Sequence, residues 1–306
     1  MTLLALTGGV GGAKLALGLA KVLPPGDVVF VVNTGDDFEH LGLHISPDVD
    51  TLTYTLAEVA NPIAGWGRND ETWRFMDALE RFGGETWFRL GDADLALHVH
   101  RRTLLDAGMS LTDATNEIAG RLGVRHTILP MSDDPVRTRV VTPDGPLAFQ
   151  HYFVRDRCAP KAVGFEFAGA DRASVNSAIP FESVTAIVIC PSNPFVSVDP
   201  ILAVNGMRDA LVATGAPIAA VSPIVGGRAI KGPTAKMMRE LGVPTTTVAV
   251  AEHYAGLVSH FVVDEVDACA ESDVAALGMA TAVRKTVMTT LHDRVRLARS
   301  VLEFIR

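Results

Sequence analysis

Continuous apolar runs of four to six residues recur along the chain, each followed by glycine, proline or small polar residues. The clearest runs are residues 2–7, 28–32, 186–190 and 218–221. A run without polar alternation is typical of a parallel strand that is covered on both faces. The Leu- and Ala-rich stretch 13–23 predicts a buried helix between the first two runs. The chain therefore opens as a strand–helix–strand unit, which indicates an α/β fold.

Further helices are predicted between and after these runs. Ser46 followed by Pro47 is typical of a helix start, because serine caps a helix and proline suits its first position. Residues 70–82 and 93–122 predict two more helices, and residues 280–306 predict a terminal helix with basic residues on its exposed face.

The middle of the chain follows a different pattern. Residues 137–141 and 147–154 are β-like, and the Pro-Asp-Gly within residues 142–145 is typical of a tight turn. These features predict a hairpin. We therefore interpret residues 131–182 as a small β-rich insertion.

The other segments predict one α/β core, a Rossmann-like parallel sheet with helices on both faces. Residues 1–130 and 183–306 form this core in our interpretation, with a helical segment at about 60–122 beside the sheet. A chain of 306 residues is long enough for two domains or for one large α/β domain.

Composition excludes several classes of protein. The formal net charge of −8 weighs against a dedicated nucleic-acid-binding protein, which usually carries a basic face. No apolar run approaches the ~18 residues that a membrane span needs, and the first residues read as a strand, not as a signal peptide. The three cysteines form no Cys-x-x-Cys pair, which fits a reducing compartment. We expect a cytoplasmic protein without a membrane or nucleic-acid partner.

A glycine-rich turn, Gly8-Gly9-Val10-Gly11-Gly12, joins the first predicted strand to the first helix. Glycines let backbone N–H groups approach a phosphate, and the positive end of the helix faces the anion. The turn matches neither the dinucleotide fingerprint nor a P-loop, because Lys14 lies between Ala13 and Leu15. It is either a phosphate-binding turn of another class or a tight turn without a ligand. Its position after the first strand favours phosphate binding.

Acidic residues follow the second predicted strand. Asp36 and Asp37 come directly after it, and Asp48 and Asp50 open the next helix. The carboxyl ends of adjacent parallel strands form one crevice, so we expect these side chains near the glycine turn. Carboxylates beside a phosphate need a cation between them, which predicts Mg²⁺. Alternatively, Asp37 is a turn residue and Asp48 interacts with the helix dipole, a reading that explains Asp36 and Asp50 less well.

Three other segments carry candidate binding residues. The aromatic pair Trp87-Phe88 beside Arg89 either holds a planar ring or packs in the core. Residues 191–194 and 222–233 each follow a predicted strand and are rich in turn-forming and hydrogen-bonding residues. Lys231, in the second of these, is a phosphate partner or an ordinary solvated lysine. No Gly-x-Ser-x-Gly elbow is present, so nucleophilic serine catalysis has little support.

Together these motifs resemble the 2-phospho-L-lactate transferases of coenzyme F(420) biosynthesis, the CofD/FbiA family. The similarity runs in order over nearly the whole chain, except for its C-terminal part. It rests on the segments Gly8–Lys14, Asn33–Asp37, Ser46–Thr51, Asn61–Pro62, Gly65–Gly67, Trp87–Asp94, Leu129–Asp134, Pro191–Pro194 and Ser222–Pro233.

The resemblance implies a Mg²⁺-dependent transfer of a phospholactyl or phosphoenolpyruvyl group. The donor would be a guanosine diphosphate ester, the acceptor the terminal hydroxyl of the deazaflavin Fo, and the released product GMP. The resemblance also implies that Asp50 and Arg89 contact the deazaflavin, that Asp36 and Asp50 bind the metal and serve catalysis, and that the protein is a homodimer. The residues implied to face the nucleotide are Gly9, Gly11, Gly12, Lys14, Ser192 and Asn193.

Two other classes stay open. A related branch of the superfamily has a similar glycine opening but binds sugar nucleotides as a regulatory protein without catalysis. The Trp87-to-Asp92 segment and the pair Asp48 and Asp50 favour the transferase. A nicotinamide dehydrogenase would need an acidic residue about 20 residues after a complete glycine fingerprint. Asp36 has roughly that spacing, but the third glycine is absent.

Overall fold

The computed structural model describes residues 2–306 and contains a large parallel sheet, smaller antiparallel sheets and helices. Its strands are β1 (Thr2–Thr7), β2 (Val28–Val32), β3 (Phe38–His40), β4 (Leu43–Ile45), β5 (Thr127–Pro130), β6 (Arg137–Thr142), β7 (Gly145–Ala148), β8 (Gly164–Ala168), β9 (Val184–Ile189), β10 (Ile218–Val221), β11 (Ile224–Val225), β12 (Arg228–Ala229), β13 (His260–Asp264) and β14 (Ala280–Arg284). Its α-helices are α1 (Gly9–Val22), α2 (Pro47–Leu56), α3 (Arg74–Arg81), α4 (Asp92–Asp106), α5 (Leu111–Arg121), α6 (Asp199–Ala203), α7 (Met207–Ala213), α8 (Thr234–Glu240), α9 (Thr247–His253), α10 (Glu271–Ala276) and α11 (Leu291–Phe304).

The seven strands of the large sheet lie in the order β14-β13-β10-β9-β1-β2-β5, and all neighbouring strands are parallel. From β1 the chain proceeds to β2 and β5 on one side, then returns to β9 on the other. The carboxyl ends of β1 and β9 therefore lie at a topological switch point, where open α/β sheets bind their ligands. This order places the glycine turn next to residues 191–194.

Helices cover both faces of the large sheet, as predicted. Along β1, Leu3 and Ala5 point into one core with α1, α2 and α11, because successive side chains of a strand face opposite sides. Leu4 and Leu6 point into the other core, which α6 to α9 cover. The α/β fold class is thus confirmed.

The second core also contains residues of a three-stranded antiparallel sheet. In this sheet β6 pairs with both β7 and β8. Its strands lie inside the segment 131–182 that we interpreted as a β-rich insertion. Val140 of β6 and the following Tyr152 are fully buried in the same hydrophobic cluster as Leu4. The small sheet therefore packs on the large one, and the division into core and insertion stays a prediction.

The single helix predicted over residues 93–122 is wrong, because the structure has two helices there. Helix α4 ends at Asp106, and Gly108 then adopts a left-handed conformation with φ of 86°. Ser110 caps α5, since its side-chain oxygen accepts a hydrogen bond from the backbone N–H of Asp113. The apolar pattern continues through this break, so periodicity alone could not locate it.

Two further predicted elements are wrong in part. Residues 280–284 form β14, the edge strand beside β13, and the terminal helix α11 begins only after Thr290, which caps it. The predicted strand 147–154 ends at Ala148, and a π-helical turn at His151–Arg155 follows. An edge strand is only partly buried, so β14 lacks the continuous apolar run that marks the central strands.

Within residues 2–306, no helix combines the length and the apolar character needed to traverse a lipid bilayer.

Candidate active site

A cleft with a volume of about 360 Å³ lies at the carboxyl ends of β1 and β9. Both loops that follow these strands contribute to its lining, together with the start of α2. The predicted site residues that line the cleft are Gly9, Gly11, Lys14, Asp36, Arg89, Ser192 and Asn193. Asp48 and Lys231 line it as well, whereas Gly12 and Asp50 do not. The sequence motifs thus converge on one place, with two exceptions.

The glycine turn forms the first turn of α1, which begins four residues earlier than predicted. Gly9 has a φ of 63°, a conformation that favours glycine, and its N–H donates to Asp48 Oδ1 over 2.8 Å. A Cβ on Gly11 would lie 2.5 Å from the carbonyl oxygen of Pro191. A Cβ on Gly12 would overlap the hydroxyl groups of Thr7 and Ser192. Gly11 and Gly12 therefore let the loops after β1 and β9 touch.

Two buried carboxylates, Asp36 and Asp48, face the cleft. Asp48 Oδ2 accepts a hydrogen bond from the Asn33 side chain over 2.9 Å, and burial raises the pKa of Asp48 to about 6. Burial, followed by the charge of nearby Asp48, raises the pKa of Asp36 well above its ordinary value. Asp36 Oδ1 is buried and has no hydrogen-bond partner among the described residues. The nearby charges that act on both pKa values are carboxylates only.

These carboxylates fit a divalent cation. A cation between Asp36 and Asp48 would relieve their repulsion and give Asp36 Oδ1 a partner. In residues 2–306, no three His, Cys, Asp or Glu side chains are grouped to enclose a metal. A Mg²⁺ ion is usually held by one or two carboxylates, with substrate phosphates and water completing its coordination. The residues present therefore suit Mg²⁺ held jointly with a phosphate ligand.

Two lysines also line the cleft. Lys14 Nζ donates to the carbonyl of Met288 over 3.1 Å, and Lys231 Nζ donates to the carbonyl of Ala64 over 2.9 Å. Burial lowers the pKa of Lys14, and the nearby Arg294 and Lys231 lower it further. Within the described residues, Lys14 and Lys231 bond to backbone carbonyls and contact no carboxylate. Such an accumulation of positive charge suits an anionic phosphate group.

Aromatic side chains line the cleft as well. Phe149 and Phe153 stack with an interplanar angle of 10° and a centroid separation of 5.5 Å. Arg89 lies with its guanidinium carbon 4.9 Å from the ring centroid of Trp73, and its side chain is half exposed. Of the predicted aromatic pair, Phe88 lines the cleft, whereas Trp87 does not line it and packs against Phe88, His40 and His151. This wall suits a planar ring.

The structure does not bring Asp50 together with Asp36. Both carboxylate oxygens of Asp50 accept hydrogen bonds from the guanidinium of Arg101, whose side chain is 1% exposed. Asp48 instead faces the cleft, although the sequence allowed it to be a helix-dipole residue. A metal or acceptor role for Asp50 stays a prediction, and in this conformation its oxygens are engaged.

Sequence reasoning missed Arg101 as a partner of Asp50. Arg101 follows His98 by three residues and Leu97 by four, so it lies on the buried face of α4. An arginine on the apolar face of an amphipathic helix is the signal that could have revealed a buried partner of opposite charge.

A glycine turn, two carboxylates and two lysines at the switch point of a parallel sheet are typical of proteins that act on phosphate esters. A family model described as 2-phospho-L-lactate transferase CofD matches residues 3–297. A phosphoenolpyruvate transferase of Streptomyces griseus subsp. griseus is 39% identical over 311 residues, covering 99% of this chain and 98% of that protein. A 2-phospho-L-lactate transferase of Methanosarcina mazei is 35% identical over 299 residues, covering 97% of this chain and 98% of that protein.

Among solved structures, a UPF0052 family protein of Bacillus halodurans superposes on the chain with a TM-score of 0.63 over 98% of both chains. At 17% identity, that similarity supports the fold alone. The family match and the relatives together show that the chain belongs to the 2-phospho-L-lactate transferase family CofD. The protein is a transferase enzyme with a role in coenzyme F(420) biosynthesis.

Proposed function

We propose that this transferase moves a phospholactyl or phosphoenolpyruvyl group from a guanosine diphosphate ester to the terminal hydroxyl of Fo and releases GMP. The observation that carries the proposal is the composition of one cleft, whose lining combines carboxylates without a cationic partner, two lysines and stacked aromatic rings. The names of the Streptomyces and Methanosarcina relatives support both donors. These relatives are 39% and 35% identical to this chain, and so small a difference favours neither donor.

The diphosphate of the donor fits the end of the cleft with the glycine turn. The Gly9 N–H at the start of α1 is bonded to Asp48, but the N–H groups of the next residues have no helical partners and can donate to phosphate oxygens. Lys14 and Lys231 supply positive charge there, and each is held only by a backbone carbonyl. Ser192 and Asn193 lie on the opposing loop, so they face the same ligand.

Asp36 and Asp48 would hold the Mg²⁺ ion that the proposed reaction requires. When bound, this ion neutralises charge on the diphosphate and on the leaving phosphate. The raised pKa of each carboxyl also suits a group that accepts a proton near neutral pH. We propose that one of these carboxylates takes the proton of the Fo hydroxyl as the hydroxyl oxygen attacks phosphorus.

The acceptor ring fits the aromatic wall. Phe149 and Phe153 offer an apolar surface, and half-exposed Arg89 can hydrogen-bond to polar edges of the deazaflavin. Holding the hydroxyl in line with the phosphorus is the main contribution that a protein makes to such a displacement. The cytoplasmic location and the homodimer stay predictions.

The direct test is incubation of the purified protein with Fo, Mg²⁺ and each donor ester in turn, with products separated and identified by mass spectrometry. We expect GMP and a phosphodiester of Fo with at least one donor, and neither product when the metal is chelated. A parallel thermal-shift series compares Fo with UDP-sugars. A response to UDP-sugars alone, without product from either donor, would overturn the proposal in favour of a regulatory binding protein.

A further inference from the structure

The two stacked rings of the cleft lie on a segment with an unusual backbone. Phe149 and Phe153 line the cleft, and Tyr152 lies between them in the π-helical turn at His151–Arg155. Phe153 is 40% exposed, whereas the side chain of Tyr152 is fully buried. Single π-helical turns are rare and occur frequently at functional sites. This turn places one aromatic side chain in the core and the next one in the cleft.

The backbone that follows the turn is strained. Arg157 and Cys158 are consecutive and have φ values of 50° and 56°. Residues with a Cβ rarely adopt this left-handed conformation, and they keep it only where surrounding contacts hold it. The Cys158 N–H donates to the carbonyl of Tyr152 over 2.8 Å, which closes the turn. The segment therefore needs further contacts from outside to stay in this conformation.

Lys236 of α8 supplies such contacts. Its Nζ donates to the Tyr152 hydroxyl over 3.2 Å and to the carbonyl of Pro160 over 3.1 Å. It also donates to the carboxylate of Glu240, 2.7 Å from each oxygen. Glu240 Oε2 in turn accepts a hydrogen bond from the Ala162 N–H over 3.0 Å. Lys236 and Glu240 thus hold the strained segment on both sides.

The ion pair between Lys236 and Glu240 is poorly placed to stabilise α8 itself. The two side chains are 31% and 20% exposed, and pairs that water reaches contribute little to stability. The lysine also precedes the glutamate, which is the weaker order for a pair four residues apart on a helix. Burial lowers the pKa of Lys236, but hydrogen bonds with Glu240 and Tyr152 outweigh burial and raise it, so the ammonium stays charged. Its other contacts all go to the strained segment.

Helix α8 is a fixed support for these contacts. Met237 and Met238, which directly follow Lys236, are buried in the core beneath the large sheet. Thr234, at the start of α8, lines the cleft. The helix is therefore anchored beside the cleft independently of its polar contacts.

We propose that Lys236 is a positioning residue, which together with Glu240 holds the Phe149–Phe153 wall in place. Lys236 does not line the cleft, so it acts through Tyr152 and the strained segment. The inference rests on the proposed function for the identity of the ring that the wall receives, which is the deazaflavin of Fo.

The kinetic test is Lys236→Met, which keeps an unbranched side chain but removes all its donors. The wall then loses its support, so we expect the KM of Fo to rise ~10-fold or more while the KM of the donor changes less than ~2-fold. Arg239→Met is the matched control, because Arg239 is exposed on the same helix. A purely structural role would reduce the amount of folded protein, which lowers the apparent kcat and changes neither KM. That result would overturn the proposal.

Two milder variants cover the case in which Lys236→Met does not fold. Tyr152→Phe keeps the buried ring and removes only the hydroxyl, so we expect the KM of Fo to rise ~3-fold. Lys236→Arg keeps a charged donor, so we expect it to remain within ~3-fold of the wild type in the same constant. An unchanged KM of Fo in a folded Tyr152→Phe variant would contradict the positioning role.

Hydrogen exchange without ligands separates this inference from the proposed function. In Lys236→Met, or in Tyr152→Phe if the former does not fold, we expect peptides covering residues 147–158 to exchange faster than in the wild type. Peptides from residues 234–241 should be unchanged, because Met237 and Met238 still anchor α8. Faster exchange at 147–158 in a protein that uses neither donor would support the inference and contradict only the proposed function. Unchanged exchange there would overturn the inference whatever the activity.

Discussion

Two groups of buried acidic residues each include a residue of helix α2, and their charges are balanced in opposite ways. In the cleft, Asp36 and Asp48 have raised pKa values, because burial and the charge of neighbouring carboxylates act without a compensating cation. Between α2 and α4, both oxygens of Asp50 accept hydrogen bonds from Arg101. Burial raises the pKa of Asp94 there too, but hydrogen bonds and the charge of His98 outweigh burial, so the pKa is lowered. The acidic residues between α2 and α4 have cationic partners within the chain, whereas those of the cleft have none.

The difference shows which buried charges indicate a ligand. A paired buried charge holds helices in place and needs nothing from outside the chain. Two buried carboxylates without a cationic partner destabilise the folded state when no cation is bound. Their presence in the cleft therefore suggests that the site binds a cation. The same residue type, two positions apart on α2, thus serves two purposes.

The largest expected effect is a loss of turnover when one of the cleft carboxylates is neutralised. Asp36→Asn keeps the shape of the side chain but removes a charge that faces the proposed metal, so we expect turnover to fall by ~10³-fold or more. Steady-state assays over a Mg²⁺ titration measure this. Asp37→Asn is the matched control, since Asp37 is equally buried but does not line the cleft. Equal losses in both variants would show that turnover does not depend on which buried carboxylate faces the cleft.

Removing a lysine charge from the cleft should weaken binding of the donor. Lys14→Gln removes a charge near the proposed diphosphate, so we expect the KM of the donor to rise by ~10–100-fold with a smaller change in the KM of Fo. Lys21 on the same helix pairs with Glu58 at the surface, and Lys21→Gln is the control. A larger effect of Lys14→Gln on Fo than on the donor would show that the cleft is occupied in the reverse orientation.

The raised pKa of Asp48 predicts an acid limb in the pH profile. The carboxylate must lose its proton to bind a cation or accept a proton, so kcat/KM should fall by about tenfold per pH unit below about 6. Because protons and Mg²⁺ compete, raising the Mg²⁺ concentration should move the midpoint to lower pH. Rates measured from pH 5 to 8 at two Mg²⁺ concentrations test this. A midpoint that stays the same at both Mg²⁺ concentrations would show that the titrating group does not bind the metal.

The smallest effect concerns stability, and its sign should differ between the two groups. A raised carboxyl pKa gives stability that is present at low pH and lost as pH rises through the folded-state pKa. Without Mg²⁺, Asp36→Asn should therefore unfold at a temperature about 2–4 °C above the wild type at pH 8, with the gap closing as pH falls.

Asp94→Asn should behave in the opposite way, because the pKa of Asp94 is lowered. Its contribution is present above the ordinary pKa and lost as pH falls through the folded-state pKa, so the variant should be less stable at pH 8. Thermal unfolding at several pH values measures both variants. A change in unfolding temperature of the same sign in both variants at pH 8 would show that the two groups do not affect stability in opposite directions.

Much of the fold followed from local patterns in the chain. The central strands at 2–7, 28–32 and 218–221 were predicted closely, because strands buried on both faces need continuous apolar runs. The split between α4 and α5 and the edge strand β14 were not predicted. A helix break depends on one glycine conformation and one cap, and an edge strand needs no continuous apolar run.

The candidate site, like the fold, was predicted from the sequence only in part. The residue types and their order along the chain determined the chemistry, since a glycine turn and acidic residues after adjacent parallel strands must meet at one edge of the sheet. Only the tertiary structure decided which of Asp48 and Asp50 faces the cleft. Asp50 is bonded through both carboxylate oxygens to Arg101, 51 residues further along the chain. The place of Arg101 on the buried face of α4 indicates a buried acidic partner, but it does not say which one, because that contact joins distant segments. Composition and spacing therefore could not distinguish the two carboxylates.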